Sequence, residues 1–431
     1  MAGGTHEPET RALRLPDADE SPVAPTTGRS SFRPFGLSRD NTLLALSTLL
    51  FGASFGFYQY VLPLFIASLG AGPDQVGLAL AIGNSGSIVS ILVGGLFVER
   101  YSYRWQMIVS WAMSALATAL FVVAWSWEIV AIALLISTIS LFGIPAFNAY
   151  IIAARDGQET TDALTTVFVG FTAGQTVTPT LGGWIIATSG MPAMFLASLA
   201  CMVASTAAVV LVRERPAAVP ASVGAGGKPR RGVDLGEPFR AYGAALTNGP
   251  FRGLLVLLVV SYTAAFTGVS LVPNFLHDRL DVDPSAIGVF GTGAAVVGIV
   301  GSLGLARVAR RLGFYRTLAL AQLILSGGIG LILLAPGLGS DGVLVGGLGF
   351  SARGAIQAQQ TLSRAMVAGV VRGAGLGPAF ALQSTVFNVA MAVGPALAGP
   401  LYAADPALPL WIALAVGIPI SLWLGVRAQS L

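Results

Sequence analysis

The sequence predicts an all-α membrane protein, with twelve transmembrane helices in two six-helix pseudo-symmetric halves. Three observations predict it. Hydrophobic residues fill 54% of the 431 positions and charged residues only 10%, at a mean hydropathy of +0.76. Soluble domains carry about 25% charged residues, so this much apolar surface needs lipid as its solvent. Twelve mostly apolar stretches follow one another, each near the roughly 20 residues that a helix needs to cross a bilayer. Of the 24 Lys and Arg, all but Arg279 and Arg353 fall on one face of that arrangement, the excess that marks cytoplasmic loops.

Residues 1–40 are polar and of mixed charge (Glu7, Asp17 and Arg29 among them), with no apolar core before Leu43. They read as a disordered cytoplasmic tail rather than a signal peptide. The expected spans are 42–68, 75–98, 106–125, 128–153, 163–187, 192–212, 251–276, 285–308, 316–335, 342–366, 374–402 and 408–427. They divide into an N-terminal half (41–212) and a C-terminal half (251–431). Between them, 213–250 is hydrophilic and basic (Arg213, Arg215, Lys228, Arg230, Arg231, Arg240) and reads as a cytoplasmic linker. The expected location is the cytoplasmic, or inner, membrane, with both termini on the cytoplasmic side. Gly and Pro recur inside the spans, where neighbouring helices in a membrane tolerate them.

The halves look duplicated. Pro63 pairs with Pro273; at an offset of 211, Pro73 and Gly77 pair with Pro284 and Gly288, Glu99–Ser102 with Arg310–Gly313, and Gly143 with Gly354. Thr178-Pro179 pairs with Gly394-Pro395 after a short insertion. Duplicated halves with a site at their interface are a recurrent transporter architecture. Small residues at helical spacing in the second and eighth spans (Gly83, Ser87, Gly95; Ala294, Gly298, Ser302, Ala306) allow close packing in lipid.

Composition also excludes classes. The single cysteine, Cys201, permits no intrachain disulfide and no two-cysteine metal site. The basic residues sort to a membrane face rather than onto a folded soluble surface, against nucleic-acid binding. No nucleophile–base pair, phosphate loop or metal cluster points to an enzyme, and no cofactor is expected.

Two six-helix halves, a basic linker and one loop resemble the major facilitator superfamily over residues 42–428. The family's loop between spans two and three reads Gly-x-x-x-Asp/Glu-Arg-x-Gly-x-Arg-Arg/Lys. Here Gly95, Glu99, Arg100 and Arg104 match, while Ser102 replaces the second glycine and Trp105 the last basic residue. The resemblance implies a conformational latch in which the carboxylate faces the positive N-terminal end of the eleventh span near Gly373; simple positive-inside anchoring explains the arginines as well. In the second half Arg310 replaces the acid, so a mirrored latch is not expected. In the fifth span Gly174-x-x-x-Thr178-Pro179-x-x-Gly182-Gly183 resembles the Gly-x-x-x-Gly-Pro-x-x-Gly-Gly element of the family's exporters, with Thr178 breaking the Gly-Pro pair. It tilts the reading slightly to export. The resemblance also implies a functional monomer.

No span carries an acidic residue near its middle, which disfavours a proton antiporter built on a membrane carboxylate. Arg353 is the exception among the cations. It lies eleven residues into the tenth span, about 16 Å at 1.5 Å per residue and so near the midplane. A charge there costs at least about 2.5–3.5 kcal/mol and should face a cavity or a partner. An anionic group on a substrate is one counter-ion; backbone carbonyls and water are the other reading. Gln357 and Gln360 follow on the same helical face. The resemblance implies that the first, fourth, seventh and tenth spans line the pathway, which adds Gln59, Asn148 and Asn274. Tyr58, Gln383 and Asn388 complete the candidates, each of which reads equally as interhelical hydrogen bonding.

The functional expectation is a secondary transporter working by alternating access on a small organic molecule with an anionic or polar acceptor group. Two alternatives stand beside it: a broad exporter of amphipathic drugs, and a transport-inactive sensor or scaffold.

Overall fold

The computed structural model describes residues 37–98, 101–154, 160–214, 240, 242–243, 245–371 and 375–427. The expected tail (but for its last residues), most of the linker, Glu99, Arg100 and Gly373 lie outside them. Among the described residues the regular structure is helical throughout.

Nine helical stretches there are long and apolar enough to cross a membrane. Two of them fold back on themselves. Thr160–Val210 contains Gly190 at φ 80°, a left-handed backbone that glycine adopts without penalty. Its arms run in opposite directions along the first span. Thr48 Oγ1 donates to Val167 O at 2.8 Å and Gly56 packs on Gln175 and Thr178, whereas Ser47 and Ser54 meet Ser205 and Ser198 at 2.9 Å. Phe314–Val370 turns over at 335–341: Gly342 packs on Ala335, Gly349 on Ile332, and Gln359 Nε2 donates to Gln322 Oε1 at 2.9 Å. With Pro73–Val98, a 26-residue helix, the segments group as the sequence expects.

Span 1 is Arg39–Tyr58 with Leu62–Ser68; span 2 is Pro73–Val98; span 3 is Tyr103–Val122; span 4 is Trp127–Ile139 with Ile144–Ala153. Spans 5 and 6 are 160–189 and 191–210. Span 7 is Gly249–Val269 with Val272–Leu280; span 8 is Pro284–Leu312; span 9 is Phe314–Leu334; span 10 is Gly342–Ser351 with Ala355–Val370. Span 11 is Leu376–Ala404 and span 12 is Leu408–Arg427. Arg39 and Arg427 share one face, here the terminal face, because the chain crosses an even number of times; the other is the far face.

Local chemistry sets the starts. Ser38 and Ser102 each accept the backbone N–H three residues on, at 3.2 Å, and Asn248 accepts from Phe251 N at 3.1 Å, each satisfying a helix-start donor. Pro73 and Pro284 open spans 2 and 8 at positions where no backbone N–H is needed. The cap explains why Ser102 stands where the family motif has glycine. Its repeat mate Gly313 takes the opposite backbone, φ 81° against −63°, so the two loops are not conformational copies.

The core is shared at one end and split at the other. The far-face cluster draws on both halves, with Ile66, Phe195, Leu276 and Phe350 nearly inaccessible. Towards the terminal face there are two separate clusters, one around Met107 and Tyr150, the other around Phe251 and Met366. Lipid tails are as apolar as leucine, so helices associate through close packing and interhelical hydrogen bonds. Glycine provides the closest approaches. Gly77 of span 2 meets Pro395 O and Gly399 of span 11, and Gly288 of span 8 meets Pro179 O and Gly183 of span 5. Gly77 and Gly288 are repeat mates, as are Pro179 and Pro395. The anchors that betray the duplication are therefore the two seams that join its halves.

Candidate functional site

Spans 1, 4, 7 and 10 are each interrupted in mid-course, at 59–61, Ser140–Gly143, 270–271 and Ala352–Gly354. Irregular backbone at membrane depth is tolerated only where protein buries it or a cavity meets it. The second and fourth breaks are repeat mates: Ser140–Gly143 aligns with 351–354 at the offset of 211. Where the N-terminal half holds Phe142, the C-terminal half holds Arg353.

The breaks bring Arg353 and Tyr60 together. The guanidinium carbon lies 5.1 Å from the Tyr60 ring centroid and 4.9 Å from that of Phe350. The two rings are 5.8 Å apart, edge to face. Gly291 of span 8 leaves room for the Tyr60 ring, and Gly354 lets span 10 approach Ala294 and Gly298. A cation over an aromatic face gains about 2 kcal/mol or more when desolvated. Among the described residues no carboxylate pairs with Arg353. Its contacts are two π faces, one from each half, and no hydrogen-bond acceptor.

The other expected residues disperse. Gln357 turns to the backbone of Gly298, and Gln360 is half-buried farther along; a tighter turn at 352–354 separates them from the guanidinium face. Gln59 Oε1 accepts from Gln175 Nε2 at 2.9 Å, leaving Gln59 Nε2 buried without a partner. Asn274 Nδ2 donates across the halves to Pro63 O at 3.5 Å, with its Oδ1 unpartnered. Asn148 Oδ1 is likewise buried without a partner, and Asn388 is half-buried in span 11. Tyr58 packs among Phe55, Phe121 and Phe195.

Tyr58 lines a cavity of about 270 Å³ with Phe51, Phe55, Asn84, Phe171 and Met391. A second cavity of about 210 Å³, with Trp111, Phe147 and Phe168 in its wall, shares Phe51, Leu141 and Phe171 with the first. Side by side across that shared wall they are the two adjoining lobes of a chamber, with Met391 of span 11 as the contribution from the C-terminal half.

Gln383 belongs to hydrogen bonding inside the C-terminal half. Its Nε2 donates to Ser363 Oγ at 3.0 Å, and Ser363 also meets Tyr262 OH at 2.9 Å. Nearby, Gln322 Oε1 accepts from both Ser261 Oγ at 3.0 Å and Gln359 Nε2 at 2.9 Å. Removing that shared acceptor strands two buried donors, each interhelical bond being worth about 0.6 kcal/mol and at most about 1.7. Gln322→Leu should therefore lower the thermal unfolding temperature of the purified protein by several degrees.

Of the expected latch, Arg104 donates through Nε to Val212 O at 2.7 Å and through Nη2 to Val210 O at 2.8 Å. It binds the carbonyl end of span 6, a favourable place for a cation. Gly95 lies within span 2. The fifth-span element packs two ways: Gly174 and Gly182 onto span 1, Gly183 and Pro179 onto span 8.

Tyr60, Phe350 and Asn84 escaped sequence reasoning. The available signal for Tyr60 was depth: aromatic anchors belong near the membrane surfaces, and Tyr60 is eight residues from the end of its span. For Phe350 it was the three-residue spacing to Arg353, which places ring and cation on adjacent turns.

A family model described as Major Facilitator Superfamily matches residues 44–358. No curated protein matches the chain. Among solved structures, the nucleoside transporter NupG in a mutant form is similar at 12% identity, over 91% of this chain and 99% of that one, with a TM-score of 0.73. A bacterial homolog of the human lysosomal transporter Spinster, inward-facing and unoccupied, is 16% identical over 93% and 96%, with a TM-score of 0.66. A bacterial homologue of the iron transporter ferroportin, in its inward-facing state, is 15% identical over 91% and 99%, with a TM-score of 0.65. At these identities the likeness is one of fold.

Proposed function

This chain belongs to the major facilitator superfamily, and from that premise we propose that it is a secondary transporter moving a small organic anion across the cytoplasmic membrane by alternating access. The observation that carries the reading is Arg353, a permanent cation at mid-membrane whose neighbours are two aromatic faces rather than a carboxylate. A guanidinium keeps its charge at any working pH and matches carboxylate or phosphate in a two-pronged fit. An anionic cargo supplies the counter-charge that the protein withholds. Unpartnered polar atoms on Gln59, Asn148 and Asn274, on spans 1, 4 and 7, offer further contacts along the same interface.

The basic residues make the terminal face cytoplasmic. Among the described residues, the contacts between the halves gather towards the far face, so the arrangement is inward-facing. The fifth-span element favours export through its resemblance to exporters. The chain acts as a monomer, with the residues before span 1 a cytoplasmic tail and those between spans 6 and 7 the linker between two rocking halves.

The test is a thermal-shift panel on the purified protein with benzoate, succinate and glycerol 3-phosphate, set against neutral sugars and tetraphenylphosphonium. A ligand of the native state raises apparent stability by mass action. Stabilisation by one of the anions, followed by counterflow of that anion in proteoliposomes, is the expected result. Stabilisation by the lipophilic cation alone would overturn the anion reading in favour of a broad exporter; binding without flux would leave a sensor.

A further inference from the structure

We propose that the two-lobed chamber of the N-terminal half is a second binding site, separate from Arg353, for an uncharged molecule with two fused rings and one hydrogen-bond donor.

The size of the chamber sets it apart from a packing flaw. Protein interiors are close-packed, with few voids larger than a water molecule. Here adjoining cavities of about 270 and 210 Å³ share Phe51, Leu141 and Phe171. An apolar void of about 150 Å³ stays dry and takes up benzene, so the larger lobe has room for two fused rings. Phe51, Phe55, Tyr58 and Phe171 line it, and aromatic pairs gain beyond their buried area.

The polar atoms of the wall argue against an ion. Ser110 Oγ donates to Ser140 O at 2.5 Å, Ser114 Oγ meets Ser140 Oγ at 2.6 Å, and Thr118 Oγ1 donates to Ser114 O at 2.9 Å. Thr48 and Ser54 are tied to Val167 and Ser198. No charged residue lines either lobe, and burying an unpaired charge there would be costly. Asn84 differs. Its Nδ2 donates to Met391 O at 3.1 Å, and its amide oxygen makes no hydrogen bond among the described residues, so it is the acceptor assigned to one donor of the occupant. That bond also links span 2 to span 11, so the occupant lies beside a joint between the halves.

Indole and 2-naphthol are the probes, followed by thermal shift on purified wild type, Arg353→Ala and Leu141→Trp, the last filling the wall shared by the lobes. The expected result is a rise of about 2 °C or more at millimolar probe in wild type and in Arg353→Ala, and none in Leu141→Trp. Equal shifts in all three proteins, or none in wild type, would overturn the proposal. Should Leu141→Trp fail to fold, Ser137→Phe takes its place. A readout without variants is photolabelling with an uncharged aryl diazirine and mapping by peptide mass spectrometry. Label on residues 51–58 and 134–141 that indole displaces supports the site; label confined to lipid-facing positions and indifferent to indole overturns it. Because Arg353→Ala is expected to keep this response while losing response to anions, failure of one reading leaves the other standing.

Discussion

Arg353→Ala is expected to abolish anion flux while leaving membrane insertion intact. Truncating one partner of a buried charge pair costs about 2–5 kcal/mol, a loss of roughly thirtyfold or more in affinity. Against this stands a structural contribution, because the guanidinium also rests on Tyr60 and Phe350, and losing those contacts costs about 2 kcal/mol of stability. The two effects separate by readout. Loss of the stacking lowers the unfolding temperature without anion; loss of the counter-charge removes the further rise that anion produces. Arg353→Lys keeps the charge but neither the flat face nor the two-pronged fit, so it should retain a weakened response. Full flux in the alanine protein would sink the binding role.

The second large effect is expected at Gly288. A β-carbon there would meet Pro179 O and come within 2.9 Å of Gly183 Cα, and neither is the end of a flexible side chain. Forcing extra atoms into such a contact costs about 1–3 kcal/mol. The cost falls on the arrangement in which the far face is shut, shifting the balance of states by about tenfold to a hundredfold. Gly288→Leu should therefore slow flux by about tenfold or more. It should also raise thiol labelling, from the far side, of a cysteine placed at Ala67, which lines a small far-face cavity, in a Cys201→Ser background. Gly304→Ala is the control: open space surrounds that position, and flux and labelling should stay unchanged. Unaltered labelling in Gly288→Leu would show that the seam does not govern opening.

The spans were legible because lipid imposes a plain rule, that apolar length must match bilayer thickness, and this sequence obeys it. The helices outlast the expectation where polar residues continue them past the hydrocarbon, as His277–Arg279 do on span 7 and Arg310–Arg311 on span 8. The breaks were invisible for the converse reason. Residues 59–61 and Ser140–Gly143 are mostly apolar, so hydropathy reads straight through them. Arg353 announced itself by the cost of its charge, but its partners did not, because an aromatic face carries no formal charge to match. Gln357 and Gln360 were placed beside it by assuming an unbroken helix. The seams were half legible: Gly77 and Gly288 stood out as repeat mates, but that each would touch the proline of the opposite half depends on how the halves meet.

The bareness of the glycine contacts in those seams has a thermodynamic consequence. Glycine against a carbonyl exposes little surface when parted, so these glycine contacts by themselves give only a shallow preference for the shut far face. The deciding weight passes to the side-chain ties that span the halves: Asn274 to Pro63 O, Asn84 to Met391 O at 3.1 Å, Thr292 to Thr176 O at 3.0 Å and to Thr180 Oγ1 at 2.8 Å, and Arg353 on Tyr60. A ligand shifts an equilibrium only by as much as it prefers one state. A cargo that takes Arg353 away from Tyr60 removes one of those ties as it binds, so occupancy and opening become a single linked equilibrium, without any mechanical trigger.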